Sequence, residues 1–159
     1  MKTIEIMTHE VVTIGPSTPV SEIARLMIEN HISGIPVVDE DRILLGLVTE
    51  RDLVVRHARV HFPTYIPLLE SIVYVGDTRH FREEVRKALA TTAGELMSTG
   101  VPVVDSQTDI VDVASLMFDK GANPVPVVDH DRVVGVISRA DLVRLMAREE
   151  ALPEPSSET

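Results

Sequence analysis

The alternation of apolar and polar positions in this chain follows one order of elements, and that order occurs twice. Val20, Ile23, Ala24, Met27 and Ile28 recur at helical spacing. Thr18 is placed to cap that helix, with Pro19 at its first position. A short β-branched run, Ile35–Val38, is followed by the polar turn Asp39–Arg42 and the apolar run Ile43–Val48, the pattern of a hairpin. A second helix starts near Thr49. At an offset of 90, Thr108 takes the place of Thr18, and Ile110, Val113, Ala114, Met117 and Phe118 repeat the helical stripe. Val125–Val128, the turn Asp129–Arg132 and Val133–Ile137 repeat the hairpin, and another helix starts near Ser138. The first copy has one extra residue in its Ile43–Leu45 run. Short extended pieces, Val11–Ile14 and Val101–Val104, precede each first helix.

The unit is therefore β-α-β-β-α written twice, an α/β (α+β) fold. One unit is too small to cover hairpin strands that are apolar on both faces. The second unit is the natural cover, which predicts a single globule with pseudo-twofold symmetry. The expected division is a first repeat over 1–59, a helical insert over 60–93, a second repeat over 94–150 and a disordered acidic tail over 151–159. In the insert, Tyr65, Leu68, Leu69, Ile72 and Val73 are read as a helix after Pro63, with Pro67 delaying its start. Asp77 or Thr78 caps a second helix whose inner stripe is Phe81, Val85, Ala88 and Leu89 and whose charged face is Arg82, Glu83, Arg86 and Lys87. Thr92 and Glu95 have the spacing of a capping box.

Composition narrows the function classes. The formal net charge is −10, opposite in sign to what phosphate neutralisation needs, and only five residues are aromatic, so no nucleic-acid partner is expected. No run approaches the roughly 18 apolar residues of a membrane span, and Glu5 and Glu10 interrupt any signal-peptide core. The reading is soluble and cytoplasmic, with no membrane partner. There is no cysteine, which removes disulfides and thiolate chemistry. His57 and His61 lie four apart without a third ligand nearby, so no metal site is expected. No catalytic motif occurs, and neither an enzyme activity nor a cofactor is expected.

The chemistry-bearing pattern is Gly46-Leu47-Val48-Thr49-Glu50-Arg51-Asp52, matched by Gly135-Val136-Ile137-Ser138-Arg139-Ala140-Asp141. A hydroxyl followed three residues later by an acid is a capping arrangement. The same arrangement sets a hydroxyl and a carboxylate at a helix N-terminus, where anions bind and where a carboxylate can accept both hydroxyls of a ribose. The two roles are compatible.

These motifs, the Pro-Val-Val-Asp strands and the order of elements together resemble the cystathionine β-synthase (CBS) domain, which occurs in tandem pairs called Bateman modules. The resemblance implies a regulatory, energy-sensing module that binds an adenosine-containing ligand of the AMP, ADP, ATP or S-adenosylmethionine class between the repeats. It implies ribose binding by Asp52 and Asp141, with Thr49 and Ser138 holding ribose or phosphate. It implies enclosure of the base by Thr13, Ile14, Pro16, Ile35 and Pro36 in one copy and by Val103, Val104, Ser106, Val125 and Pro126 in the other. Where some members carry a His or Arg before the Pro-Val-Val-Asp strand, this chain has Ser33-Gly34 and Asn123-Pro124. Phosphate partners must then come from elsewhere, with Arg51 and Arg139 inside the motifs and Arg42 and Arg132 in the turns as candidates. This departure favours adenosine or a monophosphate over a polyphosphate. The resemblance also implies a homodimer and an unidentified regulated protein as partners. The other class of function is a structural or dimerisation module of the same fold.

Overall fold

The computed structural model describes residues 1–57, 64–68, 71–75 and 78–150, with the strands inside 64–75 described by their backbone. In the first repeat, α1 (Val20–Asn30) is followed by the antiparallel pair β1 (Gly34–Val38) and β2 (Leu44–Thr49) and by α2 (Glu50–His57). The insert contributes β3 (Thr64–Leu68), β4 (Ser71–Val75) and α3 (Thr78–Leu89), and a short α4 (Ala93–Leu96) leads into the second repeat. That repeat holds α5 (Ile110–Lys120), the antiparallel pair β5 (Val125–Asp129) and β6 (Arg132–Ile137), and α6 (Arg139–Glu150).

The extended pieces ahead of α1 and α5 add a parallel edge to each hairpin. Ile14 donates to Pro36 and accepts from Val38, and Val104 does the same with Pro126 and Val128. Both hairpins carry a bulge just after Val37 and Val127, so Leu45 and Val134 are the unpaired residues. The extra residue of the first copy is then Ile43, which lengthens the turn and leaves the strand register intact. The two turns meet: Leu44 donates to the Asp131 carbonyl and Val133 to that of Arg42.

Each repeat is completed by a segment that precedes the other. Thr3 and Ile4 donate to Thr108 and Ser106, Ile110 donates to Met1, and Thr8 and Val136 exchange a pair of bonds. Ninety residues on, Ala93 and Gly94 donate to Thr18 and Pro16, Val20 donates to Thr91, and Ser98 and Leu47 exchange a pair. Met7 lies in the core of the second repeat with Val113, Met117, Val125 and Ile137. Ala90, Ala93 and Leu96 lie in the core of the first with Ile23, Ile35, Val37 and Val48. The twofold globule is therefore an interlocked pair rather than two stacked units.

This exchange displaces the expected caps. The N-cap residues are Pro19 and Asp109, one place beyond Thr18 and Thr108, whose carbonyls hold the incoming segments. The outer residue of each helical stripe is also not core: Ile28 and Phe118, at matched positions, are 75% and 88% exposed. Helices α1 and α5 end on left-handed residues, His31 and Gly121, so the second copy places glycine where that backbone favours it.

The insert departs from expectation at its start. Thr64–Leu68 and Ser71–Val75 pair as a hairpin with Tyr65 opposite Tyr74, not as a helix. Pro67 has no N–H to give a helix, and Ile66, Ile72, Val73 and Val75 favour the extended backbone. Helix α3 forms as expected, but turned: Lys87 is buried and Leu89 exposed. Phe62, Leu69, Asp77, His61 and the tail 151–159 lie outside the described residues. Among the described residues, no helix is long and apolar enough to cross a membrane.

Candidate functional site

Thr49 ends β2 and Asp52 sits in the first turn of α2, so the tight step from strand to helix brings them together. Asp52 Oδ2 accepts from the Thr49 N–H at 2.8 Å and from Thr49 Oγ1 at 3.1 Å. Asp141 Oδ2 accepts from the Ser138 N–H at 2.7 Å and from Ser138 Oγ at 2.8 Å. Half of a capping box is thus present in each repeat. The hydroxyl departs from it by donating to the acid instead of accepting from the helix. The result is a carboxylate fixed at a helix N-terminus with one oxygen, Oδ1, turned away from the box.

The two Oδ1 atoms have different partners. That of Asp141 is held at 2.6 Å by Arg144, a 66%-exposed side chain on the same helix. That of Asp52 is held by Lys87, which comes from α3 in the insert and also donates to Ser98 Oγ at 3.0 Å. Asp52 and Lys87 are both buried.

A cavity of about 870 Å³ opens over Asp52. It takes Thr49, Glu50, Arg51 and Asp52 from the first repeat, Ser98, Val101, Pro102 and Arg139 from the second, and His80, Glu83, Glu84 and Lys87 from α3. A smaller cavity, about 220 Å³, lies beside Asp141, Arg144 and the amino-terminal segment around Met7 and His9. The large cavity therefore mixes the two copies, and the small one sets the amino-terminal segment against α6. The seam between the two copies, along the large cavity, is formed by matched residues. Asn123 Nδ2 reaches Ser33 Oγ at 3.5 Å, Arg139 N–H donates to Asn123 Oδ1, and Glu50 N–H donates to the Ser33 carbonyl. A Cβ on Gly34 would lie 2.5 Å from the Pro124 ring, so the close approach of the copies requires glycine there.

Of the residues anticipated from sequence, Thr49, Arg51, Asp52 and Arg139 line the large cavity and Asp141 the small one, with Ser138 bonded to Asp141. The others stand elsewhere. Ile35, Pro36, Val125 and Pro126 are fully buried strand residues, and Ile14 and Val104 are buried through their pairing with those strands. They pack the core and line neither cavity. Thr13 and Ser106 are half-buried, while Pro16 and Val103 are exposed; none lines a cavity. From the second extended piece it is Val101 and Pro102, one or two residues earlier, that line the large cavity. Arg42 and Arg132 sit in the hairpin turns, where Arg42 donates to the Val133 carbonyl, away from both cavities.

Sequence reading missed the insert's contribution. Helix α3 is strapped down by Arg86, whose guanidinium donates to both oxygens of Glu83 and to the carbonyls of Glu95 and Met97. Arg56 adds a bond to the Ala90 carbonyl at 2.8 Å. The Arg86 hydrogen bond holds the Glu83 carboxyl below the usual carboxylate range, against the opposing effect of burial. A lowered carboxyl contributes stability above its ordinary pKa and loses it as pH falls through the lowered value, so this strap persists through neutral pH and weakens in acid. Hydrogen bonds from Thr91 and Thr92 likewise lower Glu95, the acid that closes the α4 cap.

The sequence matches the CBS domain family over residues 4–58 and again over 93–148. The chain belongs to the CBS domain family. Among its CBS relatives, the chloroplastic CBS domain-containing protein CBSX1 of Arabidopsis thaliana is 34% identical over 147 residues. That alignment covers 82% of this chain and 57% of the relative, so the chain spans little more than half of that protein. The uncharacterized protein MJ1426 of Methanocaldococcus jannaschii is 30% identical over 133 residues, covering 79% of each. Among solved structures, that of CBSX2 in complex with AMP superposes with a TM-score of 0.75 at 27% identity, covering 92% of this chain and 97% of that one. CBSX2 is likewise an Arabidopsis thaliana CBS-pair protein.

Proposed function

We propose that this CBS pair is a regulatory module that binds an adenosine-containing ligand, of the AMP, ADP, ATP or S-adenosylmethionine class, and passes occupancy to a protein partner. The observation that carries this reading is a carboxylate fixed beside a hydroxyl at a helix N-terminus, in both repeats, with one copy opening on a cavity large enough for a nucleotide. The likeness to CBSX2, which has been solved with AMP, supports it. We assign the module no catalytic role and place it in the cytoplasm. The test is a thermal-shift screen of AMP, ADP, ATP and S-adenosylmethionine. A ligand at a hundred times its dissociation constant should add about 2.7 kcal/mol of stability. A melt that none of them moves overturns the reading.

One observation favours the structural alternative. The Oδ1 of Asp52 is already taken by Lys87, so this carboxylate is satisfied without a ligand. In either case we propose a homodimer. Val54 and Val143, matched positions on α2 and α6, are exposed, as are Met146, Ile28 and Phe118. Apolar side chains on all four long repeat helices make a surface that a twofold partner would cover. Light scattering should give twice the chain mass of 17.5 kDa, and a mass of one chain would exclude the dimer.

A further inference from the structure

The Asp52 cleft holds a cation that belongs to neither repeat. Lys87 is 7% exposed, pairs with Asp52 and Ser98, and lies 3.9 Å from a Glu83 carboxylate already matched by Arg86. Arg51, Lys120 and Arg139 also line the cavity, but all three are exposed and solvated. Lys87 alone among these lining cations is buried. Its helix is also held in place, because Arg86 ties it to the Glu95 and Met97 carbonyls and Arg56 of α2 holds the Ala90 carbonyl just past its end.

A ribose diol that reaches Asp52 must take the carboxylate oxygen that Lys87 now holds. The buried ammonium then loses its one close counter-charge and keeps only Glu83, 3.9 Å away and already matched by Arg86, a cost that a neutral ligand does not offset. A ligand carrying an anion next to its ribose removes that cost. Resting on the nucleotide-binding reading above, we propose that Lys87 is a specificity-determining residue that exchanges Asp52 for the ligand's 5′-phosphate, so that this cleft selects a nucleoside monophosphate over a neutral nucleoside. Glu50, Glu83 and Glu84 line the same cavity, and the charge they carry opposes further phosphates. The second cleft has no such device, since the counter-ion of Asp141 is the exposed Arg144. The proposal also supplies the phosphate partner missing from Ser33-Gly34 and Asn123-Pro124.

Calorimetric titration of AMP and of adenosine into the wild-type chain, Lys87→Gln and the double variant Asp52→Asn with Lys87→Gln tests this. Wild type should prefer AMP by roughly tenfold or more, the effect of one charge-assisted bond to phosphate. Lys87→Gln should erase the preference. That result alone could reflect repulsion from the exposed Asp52 charge, so the double variant, which has no unpaired charge and so also guards against misfolding, is decisive. A preference that stays erased there supports contact between Lys87 and phosphate. A preference that returns, or one that Lys87→Gln never changed, overturns it. If wild type binds neither compound, this proposal falls; the wider adenosine-ligand reading falls only if ADP, ATP and S-adenosylmethionine also leave the melt unmoved.

Discussion

Asp52→Ala is expected to cost about 3–5 kcal/mol of folding stability, the range for removing one partner of a buried ion pair. The substitution strands the Lys87 ammonium, which is buried, anchored through α3 and left with Ser98 Oγ and the more distant Glu83 carboxylate. It also frees the Thr49 N–H and hydroxyl. Asp141→Ala removes the same hydroxyl–acid box but releases only the exposed Arg144, so its cost should be nearer the 1 kcal/mol or so of a lost cap. Urea unfolding of the two variants compares them directly. A double variant, Asp52→Ala with Lys87→Met, should be more stable than the sum of its parts implies, because the two sites share one interaction. Equal, small costs at Asp52 and Asp141 would show that Lys87 is solvated in the free protein, and the asymmetry between the clefts would then disappear.

The second large effect is expected at Leu96. This residue lies in α4, between the insert and the second repeat, yet it is fully buried in the core of the first repeat. Leu96→Ala should cost about 2–5 kcal/mol, as for other large-to-small changes in a packed core. A linker position without this role would give a change within about 0.5 kcal/mol. Met7 is the matched case: it is buried in the core of the second repeat, so removing residues 1–9 should destabilise the far end of the chain. An unfolding midpoint unchanged by Leu96→Ala would mean that the leading segments are not exchanged.

The duplication, the hairpins and the paired hydroxyl–acid motifs were legible because each is a local pattern repeated at fixed spacing. The register of Ile35–Val38 against Leu44–Thr49 follows from apolar runs that must be buried on both faces. What the chain did not disclose is non-local. Met7 and Met97 match each other, and no periodicity says which repeat either one completes. Ile35, Pro36, Val125 and Pro126 were expected at the ligand because the same short strands serve both core and cleft. Their side chains are buried in the core. Tyr65–Val73 satisfied a helical template that Pro67 and the β-branched residues override. Lys87 is the most instructive miss. On an amphipathic helix a lysine among Arg82, Glu83 and Arg86 reads as a solvated face, and nothing local reveals a buried carboxylate 35 residues away. Asp52, the one buried acid in the motif, was the available signal: a buried carboxylate needs a cation, and the repeats' own lining cations, Arg51, Lys120 and Arg139, are exposed.

The central claim is that the cleft over Asp52 is the site of an adenosine ligand. Titration of AMP into the isotopically labelled wild-type chain, followed by amide resonances, tests occupancy and location together. The account predicts saturable shifts concentrated at Thr49–Asp52, Ser98, Asn123 and Arg139, the residues that line or frame the large cavity. Resonances at those positions that stay unmoved at millimolar AMP, or shifts that gather elsewhere on the chain, would contradict it.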